Sequence, residues 1–179
     1  MVGTSEASFI EAGRRGVSIA AGGPVPYSIY APGIDGYKQV CVERGHTPDI
    51  AFIRLVYLGE TEKHIREEAE PYVRNFLDFN ASAIDSIAHR KDELTAKGYG
   101  LYASGIVEQF RQLAYDQCIA DDLCFIGTPD KVIAQIKRLD EAVGGLNEMV
   151  IIGNFGGIEH WKAIKTQELF ARYVMPAFC

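Results

Sequence analysis

The run Ile50–Leu58, IAFIRLVYL, holds a single charge, Arg54, among branched and aromatic side chains. A strand of that make-up is buried on both faces, the condition of a parallel strand held between covering layers. Two shorter apolar runs repeat the theme: Val17–Ala21, bounded by glycines, and Met149–Ile152, closed by Gly153. Helical patterns lie around them. Ser5–Arg15 is the first, with Ser5 as N-cap and Gly16 as stop. GETEKHIREEAEPYVRNFLDF places acids early and apolar residues at i, i+4 spacing. Thr128-Pro129-Asp130 opens another, a hydroxyl cap followed by proline, and Val132, Ile133, Ile136 and Leu139 form its buried face. Ile158–Phe170 is the last. Strands alternating with amphipathic helices predict an α/β fold with parallel strands and right-handed crossovers. Residues 24–49 read as a long connection. Residues 81–122 keep a helical pattern broken around KGYGLYASG, a helical insertion within a single domain, 1–179.

Charge and composition exclude several classes of function. The net charge is −6, with no basic tract to neutralise phosphates, so nucleic acid is not an expected partner. No apolar run approaches the roughly 20 residues of a membrane helix. Glu6, Glu11, Arg14 and Arg15 interrupt the amino-terminal apolar character, so no signal peptide is expected. Cys41, Cys118, Cys124 and Cys179 form no C-x-x-C pair and read as reduced thiols of a cytoplasmic protein. His46, His64, His89 and His160 are scattered through polar stretches, and no metal site is expected. No nucleophile elbow is present, which argues against hydrolysis.

The turn Thr4-Ser5-Glu6-Ala7-Ser8 is rich in hydroxyls and opens a helix, a combination suited to a phosphate. The plainer reading is that Ser5 only caps that helix. Gly153, Gly156 and Gly157 compete as a phosphate loop after a late strand. Arg54 reads as one half of a structural ion pair. Glu60, Glu62, Glu67, Glu68 and Glu70 read as a solvated helix face.

In order along the chain, VGTSEASFIEAGRRGVSI, RLVYLGETE, IGTPDKVIAQI, MVIIGNFGG and LFARYVMPAF resemble the luciferase-like flavin-dependent monooxygenases. GTPDKV is the most specific of these, and the resemblance spans nearly the whole chain. It implies a TIM-type (β/α)8 barrel, of which this chain is the C-terminal half, with three to four parallel strands and outer helices. Such a barrel takes about 250 residues, so the chain is expected to be a fragment entered at the end of the fifth strand. Val17, Ile50 and Met149 then begin the sixth, seventh and eighth strands. The resemblance implies a phosphate cup at Thr4, Ser5 and Ser8; Gly22 and Gly23, at the ligand end of a strand, suit either the approach of a flavin ring or simply a tight turn. FMN is the implied cofactor, with a deazaflavin coenzyme as the alternative, and the activity is oxidation of a small organic substrate by reduced flavin and oxygen. Catalytic residues are expected on the early strands and are not assigned. The alternative is a non-catalytic half-barrel that binds a phosphate-bearing ligand or a partner chain. Unpaired strand edges lead us to expect self-association or a complementary amino-terminal half.

Overall fold

The computed structural model describes residues 1, 3, 5–23, 25–96 and 106–178. Ile50–Leu58 forms the central strand, β2, almost wholly buried. Three others pair with it in parallel: β1 (Ile19–Gly22), β3 (Cys124–Gly127) and β4 (Glu148–Ile152). Ala51–Ile53 pairs with both β1 and β4, so those two strands take opposite edges of β2. Leu55 pairs with both Ile152 and Cys124. β3 therefore lies on the β1 edge, beyond the point where β1 ends. Outside β1, Ala20 N–H donates to the Met1 carbonyl at 2.8 Å and Gly3 N–H to the Ala20 carbonyl at 3.4 Å. The first residues thus run alongside β1 as a short parallel strand.

The helices are α1 (Glu6–Arg15), α2 (Tyr27–Arg44), α3 (Glu62–Asp85), α4 (Lys91–Ala96), α5 (Ile106–Gln112), α6 (Tyr115–Ala120), α7 (Pro129–Val143) and α8 (His160–Leu169). α2 occupies what the sequence presents as a connection. Pro32, Gly33 and Gly36 break the helical signal there, yet the two glycines are what lets α1 and α2 touch. A Cβ on Gly33 would stand 2.7 Å from the Phe9 ring, and one on Gly13 would stand 3.0 Å from the Tyr37 carbonyl oxygen.

Other boundaries shift for local reasons. β1 begins at Ile19, not Val17, because Val17 N–H donates to the Ala12 carbonyl and closes the end of α1. β3 is a strand the apolar pattern did not separate from the helix that follows; it is only four residues long. β4 is not the buried strand its sequence suggests. Val150 is 42% exposed, since no element covers the sheet face it shares with Ile53 among the described residues. Thr128 caps α7 without its hydroxyl; Glu62 accepts its N–H at 3.2 Å instead. The last helix stops at Leu169 and continues as one wider turn, Phe170–Val174. KGYGLYASG lies outside the described residues.

Among the described residues Arg54 forms no ion pair, contrary to the sequence expectation. It is 1% exposed and donates to four carbonyls: Asp122 at 2.9 Å, Gly23 at 2.8 Å, Ile53 at 3.3 Å and Val25 at 3.4 Å. Its guanidinium lies 4.6 Å from the centre of the Phe52 ring. Burial draws it down to about 10, against the opposing pull of Tyr30, Cys124 and Asp122.

Two stability predictions come from this packing. Arg54→Met removes four bonds from a charged donor and takes the side-chain donor from the carbonyls of Val25 and Asp122, so it should cost roughly 3 kcal/mol. A urea midpoint equal to that of the parent protein contradicts the role. In the loop after β4, Gly156 has φ +61, and a Cβ there would collide with the Tyr72 carbonyl; Gly157 has φ +82 and open space around it. Gly157→Ala should therefore cost only backbone strain, about 1 kcal/mol, and Gly156→Ala clearly more. Equal melting shifts for the two would refute the collision.

Candidate functional site

All strands are parallel, so the turns that follow them gather at one end of the sheet. At that end lie Ser5–Ser8 after the first residues, Gly22–Gly23 after β1, Gly59–Thr61 after β2 and Gly153–Gly157 after β4.

Ser5 is the N-cap of α1, at φ −106° and ψ 144°, and its Oγ accepts from Ser8 N–H at 3.3 Å. The Ser5 and Ser8 hydroxyls meet at 2.8 Å. Both expected site serines therefore stand together at one helix opening, and both side chains are partly buried. Capping and donation to a ligand are compatible here, because each hydroxyl has more than one hydrogen-bonding site. The amides of Glu6 and Ala7 come before the first possible intrahelical acceptor. Glu6 also sits in this turn, exposed, and complements the helix dipole. The opening is held in place by Phe9, which packs under Gly33 and lies 6.4 Å from Tyr30. Thr4 lies outside the described residues.

Gly22 and Gly23 differ. A Cβ on Gly22 would stand 2.5 Å from Ile53, so β1 needs glycine there to approach β2. Gly23, at φ +106, faces open space, and its carbonyl is held by Arg54. The competing loop after β4 is packed into the protein. Gly156 lies on the Tyr72 carbonyl, its own carbonyl accepts from Asn75 Nδ2 at 3.1 Å, and Phe155 meets Phe76 edge-on.

The acidic face of α3 is not uniformly solvated. Glu68 accepts from the Tyr57 hydroxyl at 2.6 Å and pairs with Lys162 at 3.3 Å. Lys162 also reaches Glu159 at 3.4 Å and the Tyr72 hydroxyl at 3.3 Å, and Tyr72 donates to Glu159. Burial works against the charge of Lys162, but bonds to Tyr72, Glu68 and Glu159 push it up to about 12. Burial and Glu68 together push the Tyr57 hydroxyl above its usual range. Burial raises Glu68, yet bonds from Tyr57 and Lys162 outweigh it and leave the carboxyl below its usual range. A small cavity of about 180 Å³ opens beside this group, lined by Thr61, His64 and Trp161. Sequence reasoning missed the cluster. Its one visible signal was Tyr57, a polar side chain on the strand face that otherwise shows Ile53 and Leu55.

Cys41, Cys118 and Cys124 are buried and free, and Cys179 lies outside the described residues. Among the described residues no group of three metal-binding side chains occurs, and no helix is long and apolar enough to cross a membrane.

Among solved structures, the chain is similar to a monooxygenase from Streptomyces bottropensis, at 19% identity and a TM-score of 0.68, covering 99% of this chain and 47% of that one. It is similar to the oxygenating constituent of 3,6-diketocamphane monooxygenase from Pseudomonas putida, solved in complex with FMN, at 19% identity and a TM-score of 0.64, covering 99% and 47%. The coenzyme F420-dependent tetrahydromethanopterin reductase of Methanopyrus kandleri matches at 17% identity and a TM-score of 0.62, covering 100% and 50%. The chain thus spans about half the length of these proteins, and the likeness shows the fold: its parallel strands and helices make part of a TIM-type (β/α)8 barrel. No match was found among curated proteins. A family model described as luciferase-like monooxygenase matches residues 1–145, most of the chain including the Ser5–Ser8 turn and the whole of β2, and the protein belongs to that family.

Proposed function

We propose that this chain supplies the carboxyl-terminal half of a flavin-dependent oxidoreductase barrel that oxidises a small organic substrate with oxygen. The cofactor is FMN or a deazaflavin coenzyme, and its phosphate rests at the turn Thr4–Ser8. The observation that carries the reading is the pair of hydroxyls, Ser5 and Ser8, 2.8 Å apart at the opening of α1 on the carboxyl end of the sheet. The one hydroxyl proton that the Ser5–Ser8 bond leaves available and two amides without helical acceptors are a donor set that fits a phosphoryl group. When bound, the reduced flavin supplies the electrons with which oxygen is activated.

This chain's own residues do the positioning. One of the Ser5 and Ser8 hydroxyls donates to the other, and the hydroxyl left with a free proton donates to a phosphoryl oxygen, while the α1 dipole favours the negative charge. Gly23, with open space where a side chain would stand, lets a planar ring approach the end of β1; Gly22 keeps β1 close to β2. The Tyr57–Glu68–Lys162 group fastens α3 across the end of β2 and helps keep water from that end. Three buried free thiols accord with a reducing, cytoplasmic setting. Since the chain spans about half of its structural relatives, the remaining wall of the site comes from elsewhere.

Two measurements test the reading. In calorimetric titration FMN should bind more tightly than riboflavin, which lacks the phosphate. Ser8→Ala should weaken FMN roughly tenfold or more, since a hydrogen bond to a charged group is worth about 1.5–3 kcal/mol. Equal affinity for the two ligands, unchanged in Ser8→Ala, removes the phosphate cup. A chain lacking the early strands should also show little turnover with reduced FMN; robust oxygenation by the purified 179-residue protein would contradict the assignment of catalytic groups to those strands. Phosphate binding with no turnover, even with the missing wall supplied, would favour the alternative of a non-catalytic binding module.

A further inference from the structure

Two of the described cysteines are neighbours. α6 ends at Ala120, β3 begins at Cys124, and the turn between them folds back tightly. Leu123 N–H donates to the Cys118 carbonyl at 2.9 Å, and Asp122 takes a left-handed φ of +52. The fold-back brings the Cys124 thiol to the Cys118 sulfur, to which it donates a hydrogen bond. Gln135 of α7 holds both sides of the turn, since its Nε2 donates to the carbonyls of Ile119 at 3.3 Å and Cys124 at 3.1 Å. Both cysteines are 0% exposed. A cavity of about 350 Å³ nevertheless reaches the start of α6, lined by Arg74, Leu77, Leu113, Ala114 and Tyr115. Arg74 Nε is buried with no hydrogen-bond partner among the described residues, so a donor remains for a small polar molecule that enters. α6 itself is only six residues long and no side chain caps its amino end, which eases local opening.

We propose that Cys118 and Cys124 are a reversible dithiol–disulfide pair, oxidised by hydrogen peroxide, whose disulfide staples the turn from α6 to β3. The attacking sulfur is Cys118. The hydrogen bond from Cys124 draws its thiol below the usual range, against burial, and the charge of Arg74 adds to the effect. The same bond, together with burial, holds Cys124 well above that range, so its proton stays on. The Cys118 thiolate attacks one peroxide oxygen. An S–O bond forms, the O–O bond breaks, and the departing hydroxide takes a proton from solvent to become water. Cys124 then attacks the sulfenic sulfur. The S–S bond forms, the S–O bond breaks, and the Cys124 proton leaves with the oxygen as a second water. Two thiols are oxidised, and one peroxide is reduced to two waters. A dithiol reductant reverses the step by exchange and itself ends as a disulfide.

The ring so closed contains Asp122. Its carbonyl accepts from Arg54 at 2.9 Å, and its carboxylate pairs with Arg138. Oxidation therefore tightens the turn through which β2 is tied to α7. None of this depends on the flavin reading.

The experiment is peroxide treatment of the folded 179-residue chain, removal of the peroxide with catalase, alkylation with N-ethylmaleimide in denaturant, and mass spectrometry of the tryptic peptides. The peptide Gln112–Lys131 contains both cysteines and no other. After peroxide it should appear unalkylated and lighter by two hydrogens; after dithiothreitol it should appear alkylated twice. A peptide alkylated twice after peroxide, one that carries a sulfinic or sulfonic acid instead, or a link from either cysteine to Cys41, Cys179 or another chain overturns the proposal. Two variants assign the order of attack. In Cys124→Ser, dimedone should trap Cys118 as its sulfenic acid; in Cys118→Ser, dimedone labelling of Cys124 should be lost. Equal labelling of the two, or labelling of Cys124 alone, overturns Cys118 as the attacking sulfur. The mapping on the parent protein decides the pairing even where these variants fail to fold. The oxidised protein should also unfold at higher urea than the dithiol form, and an unchanged or lower midpoint overturns the staple.

Discussion

One guanidinium sits where the chain enters and leaves the sheet. On one edge of β2, β1 ends at Gly22 opposite Ile53 and β3 begins at Cys124 opposite Leu55. Arg54 is the residue between. Where β1 departs and β3 arrives, the carbonyls of Gly23, Val25 and Asp122 converge outside the ladders, and Arg54 donates to all three. A planar fork of five donors suits several acceptors converging from different strands, which a lysine could not serve. Burying a lone cation is costly in itself. Here carbonyl dipoles, the Phe52 ring and the charge of Asp122 offset it. Asp122 in turn is fixed by a two-point contact from Arg138 of α7, at 2.8 and 2.7 Å. The tie therefore reaches from β2 through the turn before β3 to the helix after it, and it holds the Gly22–Gly23 corner at the carboxyl end of the sheet.

The legible parts of the sequence were those governed by local chemistry. Ile50–Leu58 was readable because nine residues with one charge suit nothing but a buried strand. Ser5 and Gly16 marked α1 because caps act within a few residues; Gly16 takes the left-handed φ of +64 such an ending uses. The unreadable parts depend on distant partners. α2 was hidden because Pro32, Gly33 and Gly36 are poor helix formers, and the value of the two glycines lies in the approach of α1. β4 looked buried because apolar character cannot say whether a neighbour is present. Glu68 looked solvated because its partners, Tyr57 and Lys162, lie 11 and 94 positions away and on different elements. The serine pair was visible as chemistry, and the contact between its hydroxyls followed from three-residue spacing at a helix start.

Glycines at the carboxyl ends of strands carried less information than their position suggested. A glycine can serve a ligand only if the space where a side chain would stand is open. At Gly22 that space is filled by Ile53, at Gly59 by Ile65, at Gly127 by Lys131 and at Gly156 by the backbone of Tyr72. Among the described glycines at this end, Gly23 and Gly157 face open space at positive φ. The two loops once comparable as phosphate sites thus part company. The loop after β4 is largely committed to α3, while the Ser5–Ser8 turn keeps donors at an accessible helix opening.

The uneven cover of the second sheet face follows from where the chain places its own material. α3 leaves β2 at its carboxyl end and folds back over it, and a hydroxyl, a carboxylate and an ammonium pin it there. Those groups satisfy one another, so the end of the sheet that holds the candidate ligand site is organised within the chain. No equivalent element covers the amino half among the described residues, where Ile53 and Val150 stand partly in water. Each such apolar side chain forgoes about 25 cal/mol for every Å² left exposed, a modest loss for one residue. The loss grows when the face is continuous with an unpaired strand edge, whose N–H and C=O groups invite another strand. The end of the sheet with the candidate ligand site is thus organised within the chain, while the other end leaves Ile53 and Val150 partly exposed.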